Sequence, residues 1–434
     1  MTRILTHFHK QDRRKLIILL LAVYTLVFAF LMPDRHLLVE QYLALLLHQT
    51  YLIQDAFVTA GFAATFFNVA LHFFVAYYLM SRNERSKISG LQIAAIGIFI
   101  GHSFFGTHIL NIVPILVGTV LYAHWTHQSF KLFTTVSLFA TATAPLVSFV
   151  ALEPGLSIGS VLAACLVGIL LGFIAPPLAE HYLKFHNGLS LYNYGFTTGY
   201  MAMFFVLALP YLGWETQLTI NLLQTNSHIL LTYFSIIWAG FALLVVKNFR
   251  EAIQHYPKLL KSSGRLPDDF VAKYGIYSTL LNMCCNSGLY LLIILLLGEP
   301  LNGPVLGALL SFFGFSAFGK HTKNCLPVTL GIMAACLLLG QPLTGIRFQL
   351  AFFLGNGLAP ISGFYGMTYG FIAGFLHYNL TSLAFGLHQG MSLYNNGFTT
   401  GLVAGFLFPI IENIQDHKPK WTQLHWRKNV KRKK

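Results

Sequence analysis

The sequence predicts an all-α integral membrane protein: two inverted-topology repeats, each of about five transmembrane helices plus re-entrant or broken helices. Three observations carry this fold class. Of the 434 residues, 55% are hydrophobic and only 10% are charged, whereas soluble domains carry about 25% charged residues. Apolar runs approaching or reaching spanning length recur along the chain. Two polar, glycine-rich motifs each occur twice, in the same order.

A bilayer core of about 30 Å asks for about 20 residues of helix. The clearest runs are Leu16–Met32, Phe57–Met80, Val161–Ile174, Ile229–Val246 and the segment that ends in Leu289–Leu297. The first is long and lacks a small-residue cleavage site, so it reads as a first transmembrane helix rather than a signal peptide. The net charge of +14 is gathered at Arg3–Lys15, Arg82–Lys87, Lys247–Lys273 and Lys418–Lys434, each beside an apolar run. That is how cytoplasmic loops are charged, and it leaves no folded basic domain for nucleic acid. The terminal basic residues can also meet anionic headgroups. The expected partners are the lipid bilayer and a small-molecule solute, with a homo-oligomer as a further state. The expected location is a cell membrane, bacterial inner or plasma membrane, with both termini cytoplasmic. Cys165, Cys284, Cys285, Cys325 and Cys336 lie in apolar stretches without zinc-like spacing, so they read as small core residues.

Self-similarity is the most informative feature. His186-Asn-Gly-Leu-Ser-Leu-Tyr-Asn-Tyr-Gly-Phe-Thr-Thr-Gly199 returns 202 residues later (388 − 186) as His388-Gln-Gly-Met-Ser-Leu-Tyr-Asn-Asn-Gly-Phe-Thr-Thr-Gly401, with 11 of 14 positions identical. A second motif runs Gly101, Ser103, Phe105, Gly106, His108, Asn111, Pro114, Gly118. It returns 213 residues later (314 − 101) as Gly314, Ser316, Phe318, Gly319, His321, Asn324, Pro327, Gly331. Asp55, Phe57, Gly61, Thr65 and Asn68 match Asp268, Phe270, Gly275, Thr279 and Asn282 if one residue is inserted, and Ala144-Pro145 pairs with Ala359-Pro360. The gene was duplicated.

Charge then orients the halves. The first helix leaves a basic N-terminus for a loop near Arg35–Gln54, whereas its equivalent, Ile229–Val246, runs into the basic Lys247–Lys273 loop. The joining segment Gly213–His228 has no lysine or arginine, which suits an external loop. Each half therefore crosses an odd number of times, and the halves are inverted. The expected division is a first repeat over 1–212, a second over 213–417 and a basic cytoplasmic tail over 418–434.

The first motif is too polar for a lipid-facing helix. Its glycines permit a break or a close helix approach, and Asn193 or Asn395–Asn396 would cap a half-helix that begins near Gly-Phe-Thr-Thr. Such a helix end offers free N–H groups near the bilayer middle. His186, Ser190, Tyr192, Asn193, Thr197 and Thr198, with His388, Ser392, Tyr394, Asn395, Asn396, Thr399 and Thr400, are the expected substrate pathway. The bland reading is a packed interface in which these groups bond backbone carbonyls. On the pathway reading, leucine at both Asn193 and Asn395 would stop flux in a folded protein.

The second motif reads as a re-entrant hairpin, because Ile88–Gly101 is too short to span before its polar break. Ser103, His108 and Asn111, with Ser316, His321, Lys323 and Asn324, extend the pathway, as do Asn68 and Asn282. His and Asn three residues apart share a helix face. Lys320 and Lys323 would snorkel to the interface; if they stay at membrane depth, the site favours an anion or a strongly polar solute. No metal, cofactor or catalytic residue is expected. Carboxylates are few, and the serines lack the second glycine of a nucleophile elbow.

The repeated Leu-Tyr-Asn-x-Gly-Phe-Thr-Thr-Gly signature, with Asp-x-Phe upstream, resembles an uncharacterised family of bacterial multi-pass membrane proteins, over nearly the whole chain. Asn395-Asn396-Gly397-Phe398-Thr399-Thr400-Gly401 is also similar to the Asn-Asn-Pro segment of the urea transporter family, with glycine in place of proline. Leu326-Pro327-Val328-Thr329-Leu330 loosely echoes a further stretch of that family. That second resemblance implies two inverted five-helix halves with re-entrant pore helices. The expected function is a channel or facilitative transporter for a small polar or anionic solute, not an enzyme. The alternatives are an ion-coupled transporter using Asp55, Glu180 or the histidines, a membrane enzyme on a lipid-linked substrate with His108 and His321 as bases, and a scaffold.

Overall fold

A computed structural model describes residues 13–81, 87–216 and 218–417; the basic tail at 418–434 lies outside the described residues. Every regular element among them is helical. The order is one series of elements stated twice. The first half runs α1 (Arg13–Phe30), α2 (Leu38–Leu46), α3 (Ala56–Ser81), α4 (Gly90–His102), α5 (Ile109–Trp125), α6 (Thr134–Ala140), α7 (Ala144–Leu152), α8 (Ile158–Phe185) and α9 (Asn193–Val206). The second runs α10 (Ser227–Lys247), α11 (Phe249–Leu259), α12 (Phe270–Tyr274), α13 (Ile276–Leu296), α14 (Gly303–Phe315), α15 (Thr322–Leu338), α16 (Gly345–Leu354), α17 (Ala359–Tyr365), α18 (Met367–His388) and α19 (Asn395–Asp416). Helices α12 and α13 together correspond to α3, which carries the same interruption: Gly61 has φ 70° and Gly275 has φ 80°, backbone that glycine adopts most cheaply.

Seven helical segments are long and apolar enough to cross a membrane, four before residue 213 and three after it; α1 and the bent segment around α2 would make an eighth, at an angle of 102°. With that eighth the first half reaches the five or so crossings expected of each half, and the second half falls short of them. The shortfall lies in α16–α17 and α18, whose first-half counterparts α6–α7 and α8 are among the seven. The 13-residue helices α4 and α14 reach only about 20 Å, too short to span alone. The apolar sides of the long helices stay open, with Leu20, Leu166, Leu170, Leu243 and Val246 exposed, as a lipid-facing surface requires.

Small residues set the packing. A Cβ at Gly118 of α5 would collide with the Ile169 carbonyl of α8, and one at Gly172 with the Ile115 carbonyl. The second half repeats this, with Gly331 of α15 against Phe371 O and Gly374 of α18 against Val328 O. Backbones that approach this closely gain dispersion over a long seam, the main attraction left to helices in lipid. Across the halves, each of three helices meets its own copy. Tyr24 of α1 stacks on Tyr233 of α10 at 5.4 Å. Helix α4 crosses α14 at Gly97–Gly314 and Gly101–Gly307, and α9 crosses α19 at Gly195–Gly397.

The halves are also latched reciprocally. Asp55 accepts hydrogen bonds from Gly303 N (3.0 Å), the first residue of α14, and Asp269 accepts from Gly90 N (2.9 Å), the first residue of α4. The partner of Asp55 is therefore Asp269, not Asp268. At an offset of 214 (269 − 55), Gly61, Thr65 and Asn68 then align with Gly275, Thr279 and Asn282 without an insertion. Each carboxylate caps the helix of the opposite repeat, where the helix dipole favours it.

Candidate functional site

The site is best built from the two chain breaks. Helix α4 ends at His102, the chain turns through Ser103–Thr107, and α5 starts after His108. The amide of Asn68, from α3, donates to Ser103 O (2.9 Å) and Thr107 O (2.8 Å). Asn282, from α13, does the same at the second break, to Ser316 O (2.7 Å) and Lys320 O (2.8 Å). One side chain thus satisfies two carbonyls that a broken helix would otherwise bury bare. On the far side of each break an asparagine closes the next helix, and at the second the cap is reciprocal, Asn324 N donating to His321 Nδ1 at 3.3 Å. His108 N donates to Asn111 Oδ1 and His321 N to Asn324 Oδ1, both at 2.9 Å. The asparagine amides turn back to Gly106 O (3.1 Å) and Gly319 O (2.8 Å).

The second pair of breaks is the Leu-Tyr-Asn motif itself, between α8 and α9 and between α18 and α19. Asn193 does not cap α9. Its Oδ1 meets His186 Nε2 at 3.0 Å and its Nδ2 donates to Ala179 O at 2.8 Å. Asn395 repeats both bonds, to His388 Nε2 (3.0 Å) and Thr381 O (3.1 Å). These asparagines and histidines cross-link the turn, so leucine at both asparagines would undo the fold before it informed on flux. Thr197 and Thr399 bond back to the carbonyls of those asparagines at 3.0 Å, and Asn396 Oδ1 meets His377 Nε2 at 3.0 Å. Between the halves, Ser190 Oγ lies 3.0 Å from Thr400 Oγ1, and Ser392 Oγ donates to Thr198 Oγ1 at 3.3 Å.

Each motif covers the break of the other half. A Cβ at Gly106 would strike Leu393, and one at Gly319 would strike Leu191. Tyr192 and Tyr394 follow those leucines and meet each other, ring centroids 4.8 Å apart. Phe315 packs edge-on against Tyr192 at 4.6 Å, and His102, its counterpart in the repeat, lies 5.8 Å from Tyr394. Ser311 faces both tyrosine hydroxyls. Several buried atoms here have no hydrogen-bond partner: Tyr394 Oη, Ser311 Oγ, His102 Nδ1, Thr107 Oγ1 and His108 Nδ1.

The expected pathway residues are all buried except Lys323, which is exposed as the second residue of α15. The lysine that matters is Lys320. Its side chain is 0% exposed; it does not snorkel. Nζ donates to Tyr192 Oη and points at Phe353 O (3.5 Å). It stands 4.6 Å from the ring centre of Tyr192, 4.8 Å from that of Phe312 and 5.5 Å from that of Phe315. The signal for it was available: within otherwise parallel motifs, Gly106-Thr107-His108 became Gly319-Lys320-His321.

On the first-half side, His108 is flanked by two cavities. One, about 10 Å³ and lined by Thr50, Gln54 and Thr107, has room for about one water molecule. The other, about 160 Å³, is lined by Asn111, Ser148 and the ends of apolar side chains. Of the carboxylates proposed for an ion, Glu180 is exposed, and Asp55 is taken up by N–H groups of Phe57, Leu223 and Gly303 at 3.0 Å. Burial pushes the Asp55 carboxyl above the usual carboxylate range, against the pull of those three donors. Among the described residues, no three His, Cys, Asp or Glu side chains converge as a metal would need.

A single family model, one that carries no assigned function, matches the chain over residues 35–210 and 248–413, the stretches that hold both copies of each motif. No curated protein and no solved structure matches the chain.

Proposed function

The chain belongs to the family described as protein of unknown function DUF1576, and we propose that it is a membrane channel or facilitative transporter for a small polar or anionic solute. The observation that carries this is the junction where both halves bring broken helices, buried hydroxyls and imidazoles together without pairing them fully. Irregular backbone at membrane depth persists only inside protein or beside an aqueous path, and inverted repeats with broken helices are a recurrent transporter design. On this reading the halves are related by an axis in the bilayer plane. The cavities beside His108 are one vestibule, and the route runs past Tyr394 and Ser311 to Tyr192 and Lys320. The contact between the two tyrosine rings is the constriction, closed in this conformation.

The test is stopped-flow light scattering on proteoliposomes challenged with urea, glycerol, formate, acetate, nitrite and ammonium. Acceleration over empty vesicles by at least one solute is expected, and Tyr394→Phe together with Ser311→Ala should change its rate. Correctly inserted protein that accelerates none of them would overturn the pathway.

A further inference from the structure

Building on that pathway, we propose that the solute is a small monovalent anion, bound at the Lys320 amine within its aromatic enclosure. The amine is wholly buried and its contacts are a phenol, a carbonyl and three ring faces. Among the described residues no carboxylate pairs with it; the ion pair of this region, Lys273 with Asp268 at 2.5 Å, involves a half-exposed lysine instead. A buried charge with no counter-charge is costly, and ring faces offset only part of that cost. An anion supplies the missing charge.

The surroundings complete a binding site. Tyr394 Oη and Ser311 Oγ are buried hydroxyls gathered at Tyr192, the tyrosine that the amine contacts. Hydroxyl donors beside an ammonium group make charge-assisted hydrogen bonds to an anion. Valence follows from the duplication. The residue equivalent to Lys320 is Thr107, and the residue equivalent to Phe315 is His102, so the centre holds a single lysine. A divalent anion would leave excess negative charge in an apolar cage.

The experiment pairs melting with flux. Purified protein in detergent is melted in chloride, nitrate, formate, sulfate and urea at matched ionic strength, alongside Lys320→Met. At least one monovalent anion should raise the wild-type melting temperature by several degrees, with no such rise in sulfate, in urea or in the variant. Without anion the variant should melt at or above wild type, because it removes an uncompensated amine; this shows that it folds. An anion response that persists in Lys320→Met overturns the site. Flux of urea or glycerol with no anion response overturns the anion class and leaves the pathway standing. A Lys320-dependent anion response with no flux supports the site and overturns the pathway.

Discussion

The two helix breaks are built alike and furnished differently. At each, one asparagine amide holds two carbonyls, and a His–Asn pair closes the next helix. The opposite half's Leu-Tyr pair lies over the turn. At the first break the turn ends in Thr107 with His102 behind it; at the second it ends in Lys320 with Phe315 behind it. Duplication has preserved what holds irregular backbone inside the protein, since any loss there leaves bare carbonyls. It has let the side chains that face the centre diverge. The scaffold is symmetric and the chemistry is not, as the proposed single-anion site would need.

Four sets of substitutions would break or sharpen this comparison. Asn68→Leu and Asn282→Leu each leave two buried carbonyls unmade, so each should cost about 2–6 kcal/mol, measured by reversible unfolding in detergent. If one were tolerated, the breaks would not be equivalent. Exchanging the centre is next. Thr107→Lys would bury a second amine without a counter-charge and should cost about 3–5 kcal/mol, whereas Lys320→Thr should cost little and remove the anion response; equal losses would show that the chemistry is symmetric after all. Gly118→Ala and Gly331→Ala push a methyl group into a backbone crossing and should each cost about 1–3 kcal/mol, with losses matched between halves. The smallest effect is expected for Thr198→Val and Thr400→Val, which remove the inter-half Ser–Thr contacts. At about 0.6 kcal/mol each, they should shift the melting curve only slightly, and a large shift would mean that the contact carries more than packing.

Most of the scaffold was legible. Motif spacing located both pairs of breaks, because polar runs inside apolar sequence have few structural solutions in a membrane. The roles within them were harder to read. Asn193 looked like a helix cap because Asn is a good one, but His186 stands where the turn brings it back, and the amide bonds that ring and a carbonyl of α8 instead. Asp268 and Asp269 are adjacent in the chain; only the contact with Gly90 across the halves distinguishes them. Lys320 and Lys323 were equally plausible for snorkelling, and burial separates them because one lies in the covered turn and the other on the outer face of α15.

The amino-acid sequence by itself determined that this chain is a duplicated, helix-built protein with apolar spans and repeated polar breaks, since hydropathy and self-similarity are properties of single segments. The tertiary structure decided that each half closes the breaks of the other, and that one amine is trapped among aromatic rings. Those outcomes depend on which distant segments meet, and for a buried charge the neighbours, not the residue type, set the cost and the use.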